Sequence, residues 1–354
     1  MYGKWEEIIG DEINDGVIDG AALLVCDPER ELFQYACGEA ADGVAMNCDT
    51  IIDVASVTKA VATATALLLC HSRGMVDFDA PFTRYLPDFT APLPGGPITV
   101  RELALHISGF SHENQPERQY FAEDGCELLR NTLRFPPLFP PRTHFEYACW
   151  NYLLLGQIVE RITGRRLTEF CQTELFEPLG MTDSSLGRPV ITAPGRLAQT
   201  CGTNAPGEIS DFVAFRVYRD GGCAGNAGMF STARDLGKFC RMLLQGGRLP
   251  GGGELFPEAR LREFTVNAMP PHLPVKRSFG WIMRDAYRPE SASDQIIYHS
   301  GWSGQTLYID FGLRLCVVVL TTRRGDYERA KRDRSRIASL LLEKFTAKKK
   351  EGFR

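Results

Sequence analysis

Residues 295–323 read QIIYHSGWSGQTLYIDFGLRLCVVVLTTR. Three β-rich runs follow one another at short intervals, the last two joined by Phe311-Gly312, and this pattern predicts an antiparallel meander. SFGWIMRDA at 278–286 adds a further run on the upstream side. At the other end of the chain, GAALLVCDPERELFQYACG (20–38) holds two β-rich runs around Asp27-Pro28-Glu29-Arg30, whose turn residues predict a hairpin. Trp5, Ile8, Ile9 and Ile13 recur at helical spacing within 4–17, and a closing helix is predicted over 326–348. The expected fold is therefore α/β of the α+β type: one antiparallel sheet built from both chain ends and flanked by terminal helices.

Between these ends lies a long stretch with few β-rich runs. ITVRELALHIS, EDGCELLRNTL, YLLLGQIVERITG, LTEFCQTELFEPLG and TARDLGKFCRMLLQGG read as helices, and Gly164 supplies a stop signal for the third. The expected organisation is a discontinuous sheet domain, 1–82 plus 265–354, with a mainly helical domain, 83–264, inserted into it. Gly- and Pro-rich links at 92–97, 135–141, 202–207 and 246–253 fit loops over a cleft between the two.

The chain has 354 residues, enough for a large core, and 44% hydrophobic with 24% charged residues marks an ordinary globular protein rather than a disordered one. Lys+Arg number 40 against 44 Asp+Glu, so the net charge of −4 provides no positive field for nucleic acid. No run approaches the roughly 18 to 20 apolar residues of a membrane span. MYGKWEEIIGDEIND carries five acidic residues and no apolar block of a secretory signal, which predicts a cytoplasmic protein. Eleven cysteines, an odd number without a C-x-x-C pair, predict reduced and mostly buried thiols and no zinc site. H-E-x-x-H, G-x-x-x-x-G-K-[ST] and G-x-S-x-G are all absent, so neither metal nor organic cofactor is implied.

Directly after the strand-like Thr50–Val54 comes Ala55-Ser56-Val57-Thr58-Lys59, and then the helical run AVATATALLLCHSRG. Ser56 is thus expected at a helix N-terminus, with Lys59 three residues on and on the same face, where its amine reaches the Ser56 hydroxyl. The terminal N–H groups favour negative charge at that spot, which suits a nucleophilic serine. A lysine acting as a base needs its pKa lowered by burial or by a neighbouring cation, and so calls for a polar partner. Phe145-Glu146-Tyr147 offers a tyrosine just before the helix that ends at Gly164, and Tyr298-His299-Ser300-Gly301-Trp302-Ser303-Gly304 lies on a strand of the meander. Glycines at 301 and 304 would let a ligand approach that strand closely.

S-x-x-K at 56–59, Tyr147, and H-S-G at 299–301, in that order, resemble the serine β-lactamase-like family of the class C type, which also holds DD-peptidases and family VIII-type esterases. Tyr85-Leu-Pro87, His106-Ile-Ser-Gly109, Pro178-Leu-Gly-Met181 and Gly225-Asn-Ala-Gly228 fit the same pattern. The resemblance implies a β-lactamase/transpeptidase-like fold and a serine hydrolase working through a covalent acyl-enzyme on a small acyl substrate. Ser56 would be the nucleophile, Lys59 and Tyr147 would share proton transfer, and the backbone N–H groups of Ser56 and Trp302 would form the oxyanion hole. Cys149, Ser300, Gly301 and Trp302 would line the substrate site. Two departures stand out. His299 replaces the lysine of K-T-G, exchanging a fixed cation for a group that titrates near neutrality. Cys149 replaces the asparagine of Y-x-N, which in the family bonds the substrate amide and a catalytic lysine, and a thiol is a poor substitute for either contact. Asn151, two residues further, would point to another helix face. These departures shift the expectation from β-lactams towards small esters, with amides next and a non-turning-over penicillin binder as the rival.

Overall fold

The computed structural model describes residues 3–112, 122, 124–190, 195–201 and 204–350. The chain opens with α1 (Lys4–Asn14), β1 (Ile18–Cys26), β2 (Glu31–Ala41), β3 (Val44–Ala45) and β4 (Ile52–Asp53). Helix α2 follows as wide π-type turns over Lys59–Ala64 that tighten into an α-helix over Thr65–Ser72. The interior holds α3 (Val100–Ala104), α4 (Gly125–Asn131), α5 (Cys149–Thr163), α6 (Leu167–Cys171), β5 (Ser185–Leu186), α7 (Phe212–Arg219), β6 (Met229–Ser231), α8 (Ala233–Leu244) and α9 (Arg262–Thr265). The chain closes with β7 (Lys276–Ser278), β8 (Trp281–Arg284), β9 (Ile296–Ser300), β10 (Gln305–Asp310), β11 (Leu315–Arg323) and α10 (Tyr327–Lys350).

As expected, the two chain ends share one sheet, ordered β3-β2-β1-β11-β10-β9-β8-β7, with every pairing antiparallel. β1 and β11 close it at the centre, Leu23 opposite Val319 and Val25 opposite Val317. Both strands read as continuous apolar runs because both sheet faces are covered. Leu23, Val25, Val317 and Val319 pack beneath Trp5 and Ile9 of α1 and Ile337, Leu341 and Phe345 of α10. Ala22, Leu24, Val318 and Leu320 turn the other way, into the larger core with residues of α2, α5 and α8. The hairpin turn is held by Asp27, whose Oδ1 accepts from the amides of Glu29 and Arg30.

Three local features depart from the sequence pattern. ITVRELALHIS makes only the five residues of α3, started by reciprocal Thr99–Glu102 capping and ended where His106 takes a positive φ of 59°. Helix α8 lies within the interior of the sequence yet packs on the sheet, and a Cβ on Gly237 would meet Leu24 Cδ2 at 2.5 Å. A second sheet, β4-β6-β5, was not anticipated, because strands of two or three residues are too short to show a period.

That small sheet and one close helix–loop contact position the site. Gly225 lies against Gly156 of α5, and a Cβ added to Gly225 would fall 2.3 Å from the Tyr152 carbonyl oxygen and 3.0 Å from Gly156 Cα. The Gly225 carbonyl accepts from Thr63 Oγ1 of α2 at 2.7 Å, so this loop joins two helices of the core. Gly225→Ala should therefore overpack a backbone-to-backbone contact and destabilise the fold by about 1–3 kcal/mol. Chemical denaturation measures this, and an unchanged midpoint would show that the loop is free to move away.

Candidate active site

Ser56 sits in the turn between β4 and α2, 8% exposed, and the amides of Val57, Thr58 and Lys59 bond back to Val54, Ala55 and Ser56 to open the helix. Ala55 just before it has a positive φ of 46°, an unfavourable conformation for a residue with a Cβ. Buried Asp53 holds it there: Oδ1 accepts from the Ala55 amide at 3.0 Å, and Oδ2 accepts from Ser210 through its amide (2.7 Å) and its hydroxyl (2.5 Å). Burial pushes the Asp53 carboxyl up to about 6, against the pull of these hydrogen bonds.

Lys59 is fully buried, and its Nζ donates to Ser56 Oγ at 2.9 Å, to the Asn226 carbonyl at 2.8 Å and to Cys149 Sγ at 3.6 Å. The expected Ser56–Lys59 contact is present, but the electrostatics differ from the expectation of a lowered pKa. Burial does press Lys59 towards its neutral form. The negative potential of Cys149 and Tyr147, with Asp211 further out, outweighs that pressure and holds the ammonium above the ordinary lysine range. Lys59 is a cation among acceptors rather than a free amine.

Tyr147 precedes α5 and is half-buried. Its ring centroid lies 5.2 Å from Lys59 Nζ, 4.5 Å from the His106 ring and 6.5 Å from the His299 ring. Cys149, the first residue of α5, keeps a contact to Lys59, though as a weak sulfur acceptor. Asn151 is indeed turned away and serves the scaffold: fully buried, it accepts from Ser108 Oγ and donates to His106 Nδ1 at 3.2 Å.

His299 lies on β9, opposite Leu307 of β10, and is 1% exposed. Burial and the charge of Arg277 hold it well below the ordinary histidine value, so it is a neutral group and not one that titrates near neutrality. Its Nδ1 contacts the Ser300 carbonyl at 3.2 Å, while Nε2 has no partner. The glycines of this segment serve packing within the protein rather than ligand approach. A Cβ on Gly301 would lie 2.7 Å from the Val54 carbonyl oxygen and 3.1 Å from Ala55 Cβ, and one on Gly304 would lie 2.3 Å from Thr321 Oγ1. Gly301 thus brings the end of β9, where Ser300 is half-buried, against the nucleophile turn. The amides of Ser56 and Trp302, on the two sides of that contact, donate to no acceptor among the described residues. The Trp302 carbonyl is fixed by Arg323 Nε at 2.8 Å, and its half-exposed ring lies under the same guanidinium.

Ser56, Lys59, Tyr147, Cys149 and His299 are therefore gathered at one place, where β4, α2, α5 and β9 meet. Sequence reasoning did not single out Asn226, Asp53 with Ser210, His106 as a neighbour of Tyr147, or Arg277. His106 and Asn226 lay in motifs quoted only as pattern, and their contacts span 42 and 167 residues of sequence. Among the described residues no group of His, Cys, Asp and Glu side chains could hold a metal ion, and no helix is long and apolar enough to cross a membrane.

The family model for beta-lactamase matches residues 5–342. The chain belongs to the beta-lactamase family. It is a serine hydrolase of that family. A Salmonella agona protein provisionally named as a D-alanyl-D-alanine carboxypeptidase is 27% identical, over 85% of this chain and 78% of the relative. Among solved structures, EstCE1, described as a hydrolase with promiscuous acyltransferase activity, has a TM-score of 0.76 at 20% identity, covering 96% of this chain and 97% of that one. Unliganded simvastatin synthase from Aspergillus terreus has a TM-score of 0.74 at 21% identity, covering 96% and 98%. At such identities these structures show the shared fold.

The buried neutral histidine has a measurable consequence. A histidine that stays neutral in the folded chain takes up its proton only on unfolding, so it withdraws stability as pH falls below about 6.5 and has no effect above it. His299→Asn removes that linkage. Relative to wild type, the variant should gain stability on acidification, approaching about 1.4 kcal/mol per pH unit between pH 6.5 and 5. Denaturant unfolding at pH 7.5, 6 and 5 tests this, and parallel stability curves would mean that His299 titrates normally in the folded chain.

Proposed function

We propose that this protein hydrolyses small carboxylic esters through an acyl-enzyme on Ser56. The observation that carries the reading is the Ser56 hydroxyl, bonded to the Lys59 ammonium at 2.9 Å, with the Ser56 and Trp302 amides donating to no acceptor among the described residues. In this mechanism Ser56 Oγ attacks the ester carbonyl carbon and its proton passes to the Tyr147 oxygen, the general base beside the Lys59 ammonium. The amides of Ser56 and Trp302 hold the oxyanion. The C–O bond then breaks, Tyr147 returns the proton to the departing alcohol, and water releases the acyl group by the same relay. His299, being neutral, orients groups near Tyr147 and brings no charge.

Preference for esters over amides follows from Cys149. An ester alcohol leaves with little help, whereas an amide must be oriented through its carbonyl and N–H and protonated at nitrogen. The thiol stays in contact with Lys59 but offers neither a strong donor nor a strong acceptor to an amide. Amide hydrolysis is the second reading, favoured by the 27% identity to relatives provisionally named as carboxypeptidases.

Two experiments test the proposal. A fluorophosphonate should label Ser56 and fail to label Ser56→Ala, while Lys59→Met and Tyr147→Phe should lower the acylation rate by about 10² to 10⁴-fold with the fold retained. Labelling at another serine would sink the mechanism. On substrates, short-chain p-nitrophenyl esters should exceed any penicillin or cephalosporin at least tenfold in kcat/KM, about 1.4 kcal/mol, and Cys149→Asn should narrow the gap. Efficient cephalosporin hydrolysis by the unaltered protein, with esters no better, would put the amidase reading first.

A further inference from the structure

Arg277 lies on β7 with its backbone fixed, the amide donating to Asn267 Oδ1 at 3.1 Å and the carbonyl accepting from Ala268 at 2.8 Å. Its side chain is only 3% exposed, yet Nε and Nη2 are enclosed without any hydrogen-bond partner. No carboxylate among the described residues is ion-paired with it. Asp285, whose charge it feels, already accepts from the Tyr298 hydroxyl and the Tyr287 amide. Nε–H and the neighbouring N–H of Nη2 lie along one edge of the guanidinium plane, and together they form a two-pronged donor that matches the two oxygens of a carboxylate. Here neither atom of that edge donates to a group among the described residues.

Its surroundings belong to the site. The charge of Arg277 acts on His106, His299 and Tyr147, and both histidines carry an unpartnered, enclosed Nε2. His106 Nδ1 accepts from the Ala148 amide and faces the Asn151 side-chain amide, which puts the His106 proton on Nε2 and makes that atom a further unused donor. The Phe145 ring lies 5.4 Å from the guanidinium carbon. Keeping a cation buried without a counter-ion costs several kcal/mol, and an arriving anion would offset that cost.

We propose that Arg277 is the anion receptor of this active site, its Nε/Nη2 edge binding a carboxylate carried by the alcohol half of an ester substrate. The inference rests on the ester reading above and narrows it to esters with an anionic leaving group. The alcohol half is assigned because Tyr147, which the Phe145 and His106 rings connect to the guanidinium, is the proton donor to the departing oxygen. The fixed positive charge absent from β9, where His299 is neutral, is thereby supplied from β7.

The test compares 3-acetoxybenzoate with its methyl ester as substrates, and 3-hydroxybenzoate with methyl 3-hydroxybenzoate as ligands in calorimetry. Wild type should bind 3-hydroxybenzoate at least tenfold more tightly than its methyl ester. Arg277→Met should abolish that difference and lower the anionic-to-neutral ratio of kcat/KM at least tenfold, while Arg277→Lys, a cation without the two-pronged edge, retains part of both. Equal binding of the two ligands by wild type would overturn the proposal. So would an equal loss on both esters in a folded Arg277→Met, which would make the residue purely structural. If neither ester is turned over, the ester reading fails while calorimetry still decides the anion site, and if Arg277→Met does not fold, wild type and Arg277→Lys decide it.

Discussion

One buried ammonium organises the centre of this molecule. Lys59 Nζ reaches the Ser56 hydroxyl on its own helix turn, the Asn226 carbonyl on the loop beside α5, and Cys149 at the start of α5. Three segments far apart in sequence are thus tied to a single charge. Taking that charge out of water is unfavourable, and it persists because every direction around it offers an acceptor or a partial negative charge. The same arrangement keeps Lys59 charged, and its neighbour Tyr147 is the proton carrier in the mechanism proposed above.

Around this cation the polar groups are arranged in shells of different character. Asp53 and Ser210 hold the unfavourable backbone conformation of Ala55, which turns the Ser56 amide away from the protein's own acceptors. Gly301 lets the end of β9 come within van der Waals reach of that turn, bringing the Trp302 amide alongside. Behind Tyr147 the pattern reverses. His106, His299 and Arg277 are buried with polar atoms left unpaired, in a region where a well-packed interior would satisfy all of them. Satisfied groups fix the turn that carries Ser56, and unsatisfied ones lie behind Tyr147.

The two departures from the family pattern act differently once seen in three dimensions. At 149 the thiol keeps the contact to Lys59 and gives up strong hydrogen bonding to a substrate amide. At 299 the change of side chain does more than swap a fixed cation for a titratable one, because burial beside Arg277 keeps the imidazole neutral. The histidine is better understood together with that arginine, two strands away in the sheet, than as a weakened lysine.

The sheet built from both chain ends and its terminal helices were legible in the sequence because long apolar strands and amphipathic helices impose a period that survives without context; the β1–β11 pairing that joins the ends was not. Ser56 and Lys59 were legible for a similar reason, since three residues on a helix fix which side chains meet. Short elements were not: β4, β5 and β6 are held by pairing with one another, and two or three residues carry no period. Nor were the charge states. A base role calls for a lowered lysine and the ordinary histidine value for a group poised near neutrality, whereas in the fold Lys59 is raised and His299 is held below its ordinary value, because a pKa depends on which groups surround the site after folding. Arg277 is the clearest case. In the sequence it is one of 40 Lys and Arg residues, and only the tertiary structure decides that it is buried beside Phe145 with one edge unpaired, because burial and partnership come from segments that the chain brings together from more than a hundred residues away.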